Sequence, residues 1–210
     1  MQKNKKEEEE KSKERILKSA TKLFACKGYN GVGIREICKD ANANICMVSY
    51  FWGGKEGLYK GIIENLSDWQ MEYIKQFVDV SIEPSDLPKD EQIKLLYEIT
   101  DNFVEALYGG YISDDLFRFL LRAQQSHNIQ LSATAIVYMR KLIAAVFDKD
   151  IDDKDIIFKT VFIISQINSP KVLPAFSLDL LKQKSFTQDD KEIIKKNVRL
   201  YIDTLIKEGK

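Results

Sequence analysis

The stretch IREICKDANANICMVSYFWGGK, residues 34–55, holds two short apolar-periodic segments around a polar bend. Ile34, Ile37, Cys38 and Ala41 recur at i, i+3, i+4 and i+7, one face of a helix, which predicts a helix over Ile34–Asp40. Asn42 follows, a residue type that tolerates the left-handed backbone conformation a tight turn needs. Asn44 is placed to cap a third short helix, Ile45 to about Phe51, and Gly53-Gly54 ends it. Two short helices joined by so brief a turn form a helix-turn-helix pattern.

Working outward, the rest also reads as helix. Ile16, Ala20, Leu23 and Phe24 define one face of a first helix over Ser12–Lys27, stopped by Gly28. The charged residues 1–11 before it read as a flexible tail. A long fourth helix is expected over Lys55–Val80, about 39 Å at 1.5 Å per residue. Further helices are expected over Asp90–Tyr108, Asp114–Gln125, Ser132–Phe147, Asp153–Asn168 (broken at Pro170) and about Pro174–Lys182. A last one opens on Thr187-Gln-Asp-Asp190, close to a capping box. The fold class is therefore all-α. A three-helix head over residues 12–54 precedes a helical domain over 55–210.

Composition limits the functional classes. Of 210 residues, 44% are hydrophobic and 30% charged, the balance of a globular chain with a core. No apolar run approaches the roughly 18–20 residues of a membrane span. The polar start is no secretory signal, so a cytoplasmic location without membrane contact is expected. Cys26, Cys38 and Cys46 are an odd number without C-x-x-C spacing or a nearby histidine, so neither a disulfide framework nor a metal site is expected. His127 stands alone, and nothing suggests catalysis or a cofactor. The net charge of zero conceals +5 in residues 1–60 and −5 in the remainder, the layout of a head that meets a polyanion.

The third helix is too short to bury much alone, so Phe24, Ile37, Val48 and Trp52 must pack it against its neighbours. Its N-terminal and outer side is then free for a DNA major groove. Lys55, at the start of helix four, joins its charge to the helix N-terminal amides, a grip for a phosphate. Arg35 is a further backbone or groove contact. Asn44 and Ser49 carry hydrogen-bonding groups for base edges, with Ile45, Cys46 and Met47 able to meet thymine methyls. Packing competes with DNA contact for Tyr50 and is the expected role of Phe51; Cys38 is expected in the core, and redox sensing is the alternative role for Cys46.

Residues 15–59, above all GVGIREICKDAN running into SYFWGGKEGLY, resemble the tetracycline-repressor (TetR) family. Asn44-Ile45 and the GGKEGLY ending look most like its CecR-type branch. The resemblance implies DNA contact by Tyr50 and Lys55, and a homodimer whose two heads read a pseudo-palindromic operator. It also implies an inducer pocket between helices four to seven. Aromatic candidates for that pocket are Trp69, Tyr73, Phe103 and Phe117; polar ones are Asn102, Arg122, Gln124 and His127. This sequence departs from the family pattern at Gly33, where Thr or Ser is frequent, and at Ser49, Phe51 and Trp52. The function expected is a ligand-responsive repressor released from DNA by a small apolar or amphipathic molecule. The alternative is a DNA-bound adaptor of the same fold that recruits a protein partner. Helix eight, apolar on more than one face, and the last helix are expected to form the dimer interface.

Overall fold

The computed structural model describes residues 2–125 and 134–209, with side chains over 7–125 and 135–209. Among these residues there are ten α-helices, one 3-10 turn and no strand. The helices are α1 (Gln2–Lys27), α2 (Ile34–Asp40), α3 (Cys46–Trp52), α4 (Lys55–Ile74), α5 (Lys89–Tyr108), α6 (Asp114–Gln125), α7 (Thr134–Val146), α8 (Lys154–Val172), α9 (Pro174–Leu181) and α10 (Gln188–Glu208). The chain divides into two compact units, Met1–Trp69 with Ser113–Leu131, and Gln70–Ile112 with Ser132–Lys210.

The first unit is built on the periodic face of α1. Ile16, Ala20, Leu23 and Phe24 are all buried, together with Ile37 and Cys38 of α2, Val48 of α3, Leu58, Tyr59 and Ile62 of α4, and Phe119 and Ala123 of α6. The sequence reading left α4 and α6 wholly to the second domain. In the structure α6 lies along α1 within the first unit, with Phe119 1% and Ala123 0% exposed. Alanine at 123 keeps the side-chain layer thin where the two helices pack.

Two helix bounds differ from expectation for identifiable reasons. α1 starts at Gln2 rather than Ser12. Residues 2–13 contain no glycine or proline, and Glu7 precedes Lys11, as Glu9 precedes Lys13, by four positions, the favoured order of charges on a helix. α4 stops at Ile74, six residues early, and is about 30 Å long. After it, Asp79 accepts hydrogen bonds from the backbone amide and hydroxyl of Ser81, at 3.0 and 2.6 Å, closing a local turn.

The second unit surrounds a core of Leu96 and Ile99 (α5), Met139, Leu142 and Ile143 (α7), Ile156 and Ile163 (α8), and Val198 and Ile202 (α10). Its helix ends are well satisfied. Lys89 donates to the last carbonyls of α7, Ala145 at 2.9 Å and Val146 at 3.0 Å, and also pairs with Asp148. The capping box at Thr187 and Asp190 forms as expected, with Asp in the place of the usual Glu. Pro170 does not break α8, which runs on to Val172. The break comes at Leu173 (φ −117, ψ 62), because the ring of Pro174 disfavours helical backbone in the residue before it. α8 and α9 meet there at 71°. Among the described residues no single helix is long and apolar enough to cross a membrane.

Candidate nucleic-acid interface

The turn between α2 and α3 is closed by three features legible in the sequence. Asn42 adopts φ 47, the left-handed conformation. Asn44 accepts the Cys46 amide through Oδ1 at 2.9 Å, capping α3. Gly53 ends α3 in the left-handed region (φ 69), its amide bonded to the Ser49 carbonyl at 3.0 Å.

α2 is held from α1. Arg15 Nε donates to the Ala41 carbonyl at 3.1 Å, and the buried Ser19 hydroxyl donates to the Ile37 carbonyl at 3.1 Å. Lys22 pairs with Asp40 and Lys27 with Glu36. Exposed pairs of this kind contribute little, so the apolar contacts set the geometry and the pairs fix its register. Burial raises the Cys38 thiol above its ordinary pKa, consistent with a core position.

α3 is held from α4. Trp52 lies against Gly61, where an added Cβ would stand 2.6 Å from the indole Nε1. At Gly57 an added Cβ would meet the Trp52 carbonyl oxygen at 1.8 Å. Both glycines let the end of α3 approach the α4 backbone. Sequence reasoning missed them, although a glycine every fourth residue inside a helix signals close approach.

The side chains of α3 are sorted by this packing. Val48 is fully buried, while Met47 and Trp52 are half-buried against the core. Phe51 is half-buried between the rings of Tyr50 and Trp52, the packing role weighed for it. Facing out are Ile45 at 43% exposure, Cys46, Ser49 and Tyr50 at 75%. Of the residues assigned to DNA from sequence, Arg35, Asn44, Ile45, Ser49 and Tyr50 are exposed together on α2, the turn and α3. Met47 turns towards the core, which withdraws much of its surface from a groove. Cys46 takes the outward place instead.

Lys55 is half-buried, its ammonium 4.3 Å above the centre of the Tyr29 ring. That cation–π contact steadies the lysine at the first turn of α4. No local signal in the sequence tied Tyr29 to Lys55, 26 positions apart.

The expected ligand residues are not gathered in one unit. Phe117, Arg122 and Gln124 belong to the first; Tyr73, Asn102 and Phe103 to the second; Trp69 ends the first stretch. Phe117 is buried, whereas Arg122 and Gln124 are exposed. The Asn102 amide already donates to the Glu98 carbonyl one turn away, at 2.9 Å. His127 lies outside the described residues. Among the described residues no three His, Cys, Asp or Glu side chains group as metal ligands.

Residues 16–62 match the family model described as bacterial regulatory proteins, tetR family. The HTH-type transcriptional regulator LmrA of Bacillus subtilis (strain 168) is 36% identical over 93 residues, which cover 44% of this chain and 47% of LmrA. The HTH-type transcriptional dual regulator CecR of Shigella flexneri is 24% identical over a 210-residue alignment covering 94% of this chain and 92% of CecR. Residues 16–62 are thus similar to the N-terminal segment of TetR-family regulators. A solved regulator of Aquifex aeolicus VF5, described as of the TerR/AcrR family, shares the fold at a TM-score of 0.59 and 20% identity. That match covers 92% of this chain and 99% of the other. The matched segment 16–62 contains every DNA-contact candidate named above and spans α2 and α3 entirely. The match to LmrA covers less than half of its length, so that likeness is to the head.

Proposed function

We propose that this chain is a TetR-type, homodimeric, ligand-responsive transcriptional regulator that binds double-stranded DNA in the cytoplasm, most simply as a repressor. The observation that carries the reading is the outward face of α3. Tyr50 stands 75% exposed beside Ser49 on a helix whose opposite face is locked into the core. A large aromatic left that open on a rigid seven-residue helix suits a groove or backbone contact. Arg35 and Lys55 flank it as phosphate contacts, which supply most of the affinity and none of the base specificity.

Support for a dimer comes from the second unit. Phe158 and Phe162 on α8, Phe176 and Leu180 on α9, and Leu200 on α10 are each at least half exposed. So much open apolar surface on neighbouring elements is unusual for a monomer. A two-fold pairing buries it and presents two copies of α3 to a pseudo-palindromic site. The effector acts through its differential affinity for the DNA-bound and free states.

The decisive experiment passes fragments of the source genome, including the region upstream of this gene, over the immobilised protein. Selective retention at a two-fold-related site supports the reading, and Tyr50→Ala should abolish it without unfolding the protein. Retention of no DNA at low salt overturns it. Elution of the retained fragment by metabolite or antibiotic fractions then separates a ligand-responsive regulator from the adaptor alternative.

A further inference from the structure

The first unit contains a cleft of about 810 Å³ lined by Phe24, Lys27, Tyr29, Tyr59, Lys60 and Arg122, with Gly28, Asn30, Glu56 and Gln125 completing it. We propose that this cleft is a binding site for a small planar aromatic anion, a carboxylate or sulfonate on a fused or substituted ring. It shares Arg122 with the residues expected to meet an inducer, but none of the other candidates lines it, and its remaining walls come from α1, the turn after α1, the first turns of α4 and Gln125 at the end of α6.

The floor is aromatic. Tyr29 stacks on Phe24 with centroids 5.9 Å apart and planes 23° apart, and Tyr59 meets Tyr29 edge-on at 5.1 Å. Behind them Tyr59 packs on Phe119 at 4.8 Å, so the floor is anchored in the core. Phe24 and Tyr59 are themselves buried, so the ring a ligand meets is the exposed part of Tyr29, 38% exposed and held in place by Phe24 and by the Lys55 ammonium, at little further ordering cost.

The rim is cationic. Three of the lining side chains, Lys27, Lys60 and Arg122, are basic and one, Glu56, is acidic. Glu56 is already taken by Lys60 at 2.7 Å, and Lys27 by Glu36 at 2.5 Å. Arg122 is different. It is exposed at the end of α6 and makes no ion pair or hydrogen bond among the described residues. A guanidinium fork matches a carboxylate or sulfonate with two parallel hydrogen bonds. Gly28 keeps the approach clear: its left-handed backbone (φ 72) excludes most side chains, and an added Cβ would stand 3.4 Å from the Arg122 guanidinium. The volume falls within the range of small-molecule sites.

The position gives binding a consequence that rests on the DNA-binding reading. The cleft walls include the turn that leads into α2 and the residue next to Lys55, so an occupant bears on α2 and on the start of α4, which holds α3.

Binding itself is tested without DNA. Titration of the full chain with 1-naphthoate, followed by calorimetry and by line broadening of the Tyr29 and Tyr59 ring signals, should show one saturable site per chain. Arg122→Glu should weaken it about tenfold or more, the loss expected when a charge-assisted pair is removed. Arg118→Glu, on the exposed side of the same helix and outside the cleft, should leave it unchanged. 1-Naphthylmethylamine, of similar shape and opposite charge, should not bind. The milder Arg122→Gln serves if the charge reversal disturbs folding. Absence of saturable naphthoate binding, equal binding by Arg122→Glu or Arg122→Gln and the parent, or equal binding of the amine overturns the proposal. None of these outcomes depends on whether the protein binds DNA.

Discussion

Replacing Gly61 by alanine sets two effects of opposite sign against each other. Inside a helix alanine is favoured over glycine by about 1 kcal/mol, so an unhindered exchange stabilises. Here the new methyl would stand 2.6 Å from Trp52 Nε1 and 2.7 Å from its Cδ1. Ordinary carbon contacts lie near 3.5–4.0 Å, so the indole must retreat by about 1 Å. It is half-buried against the core at the end of α3, and such overpacking costs about 1–3 kcal/mol. The expected net is a loss of about 1 kcal/mol, a fall in Tm of about 2–4 °C for a chain of this size. DNA affinity should fall further than stability does, since the displaced ring ends the helix that meets DNA. Urea denaturation and anisotropy titration with operator DNA measure the two. Gly33→Ser is the control: its backbone is ordinary (φ −104), an added Cβ meets nothing within 4 Å, and a cap hydroxyl adds a few tenths of a kcal/mol. If Gly61→Ala is more stable than the parent and binds DNA equally well, Trp52 is not clamped on α4 and the account of how α3 is held fails.

Three further outcomes follow from the same geometry. Lys55→Ala should weaken binding to specific and unrelated duplexes alike, and reduce the salt slope by about 0.9 per protomer; an unchanged slope removes the phosphate role. Phe158→Glu, at a side chain 58% exposed, should leave the monomer folded and shift sedimentation from dimer towards monomer, while a dimer of parental affinity would place the interface elsewhere. Glu105 is partly buried, which opposes its charge, yet hydrogen bonds from Lys191 and Lys195 hold its pKa below the ordinary value. Its stabilising effect is therefore complete above the unfolded glutamate range near ~4.3 and is lost as pH falls through the depressed folded value. Glu105→Gln should flatten that part of the acid denaturation curve, and identical curves would deny the cluster a role.

What was legible in the sequence followed from local rules. Periodicity placed Ile16, Ala20, Leu23 and Phe24 on the buried face, and turn chemistry placed Asn42, Asn44 and Gly53 where a left-handed residue or a cap was needed. What was not legible depends on partners distant in sequence. An amphipathic helix does not name what it packs on, so in sequence α6 reads only as part of the 55–210 domain, whereas Phe119 and Ala123 pack against α1. Likewise Met47 satisfied the pattern of a reading surface, but the direction of its side chain depends on the angle at which α3 meets the core. Pro170 was read as a stop because proline removes a helix hydrogen bond. Near the end of α8 that loss is tolerated, and Pro174, through its effect on Leu173, ends the helix.

The shortness of α2 and α3 has a consequence for how DNA affinity can be controlled. Helices of seven residues are well below the roughly 12–15 at which isolated helices become even marginally stable. Their orientation is therefore borrowed, α2 from α1 through Arg15, Ser19, Lys22 and Lys27, and α3 from α4 through Trp52. On the proposed DNA-binding reading, substitutions on the outward face, at Ile45, Cys46 or Ser49, should change which bases are met without touching these ties. Substitutions at the ties change affinity for every sequence without touching DNA. Ser19 separates the two cases. Its hydroxyl is a second donor to the Ile37 carbonyl, which also accepts the Ala41 amide at 2.9 Å, so Ser19→Ala leaves no acceptor unpaired. The expected stability cost is about 1 kcal/mol. A uniform loss of affinity across operators, with base preference intact, would then mark α1 as the element that aims the reading helix.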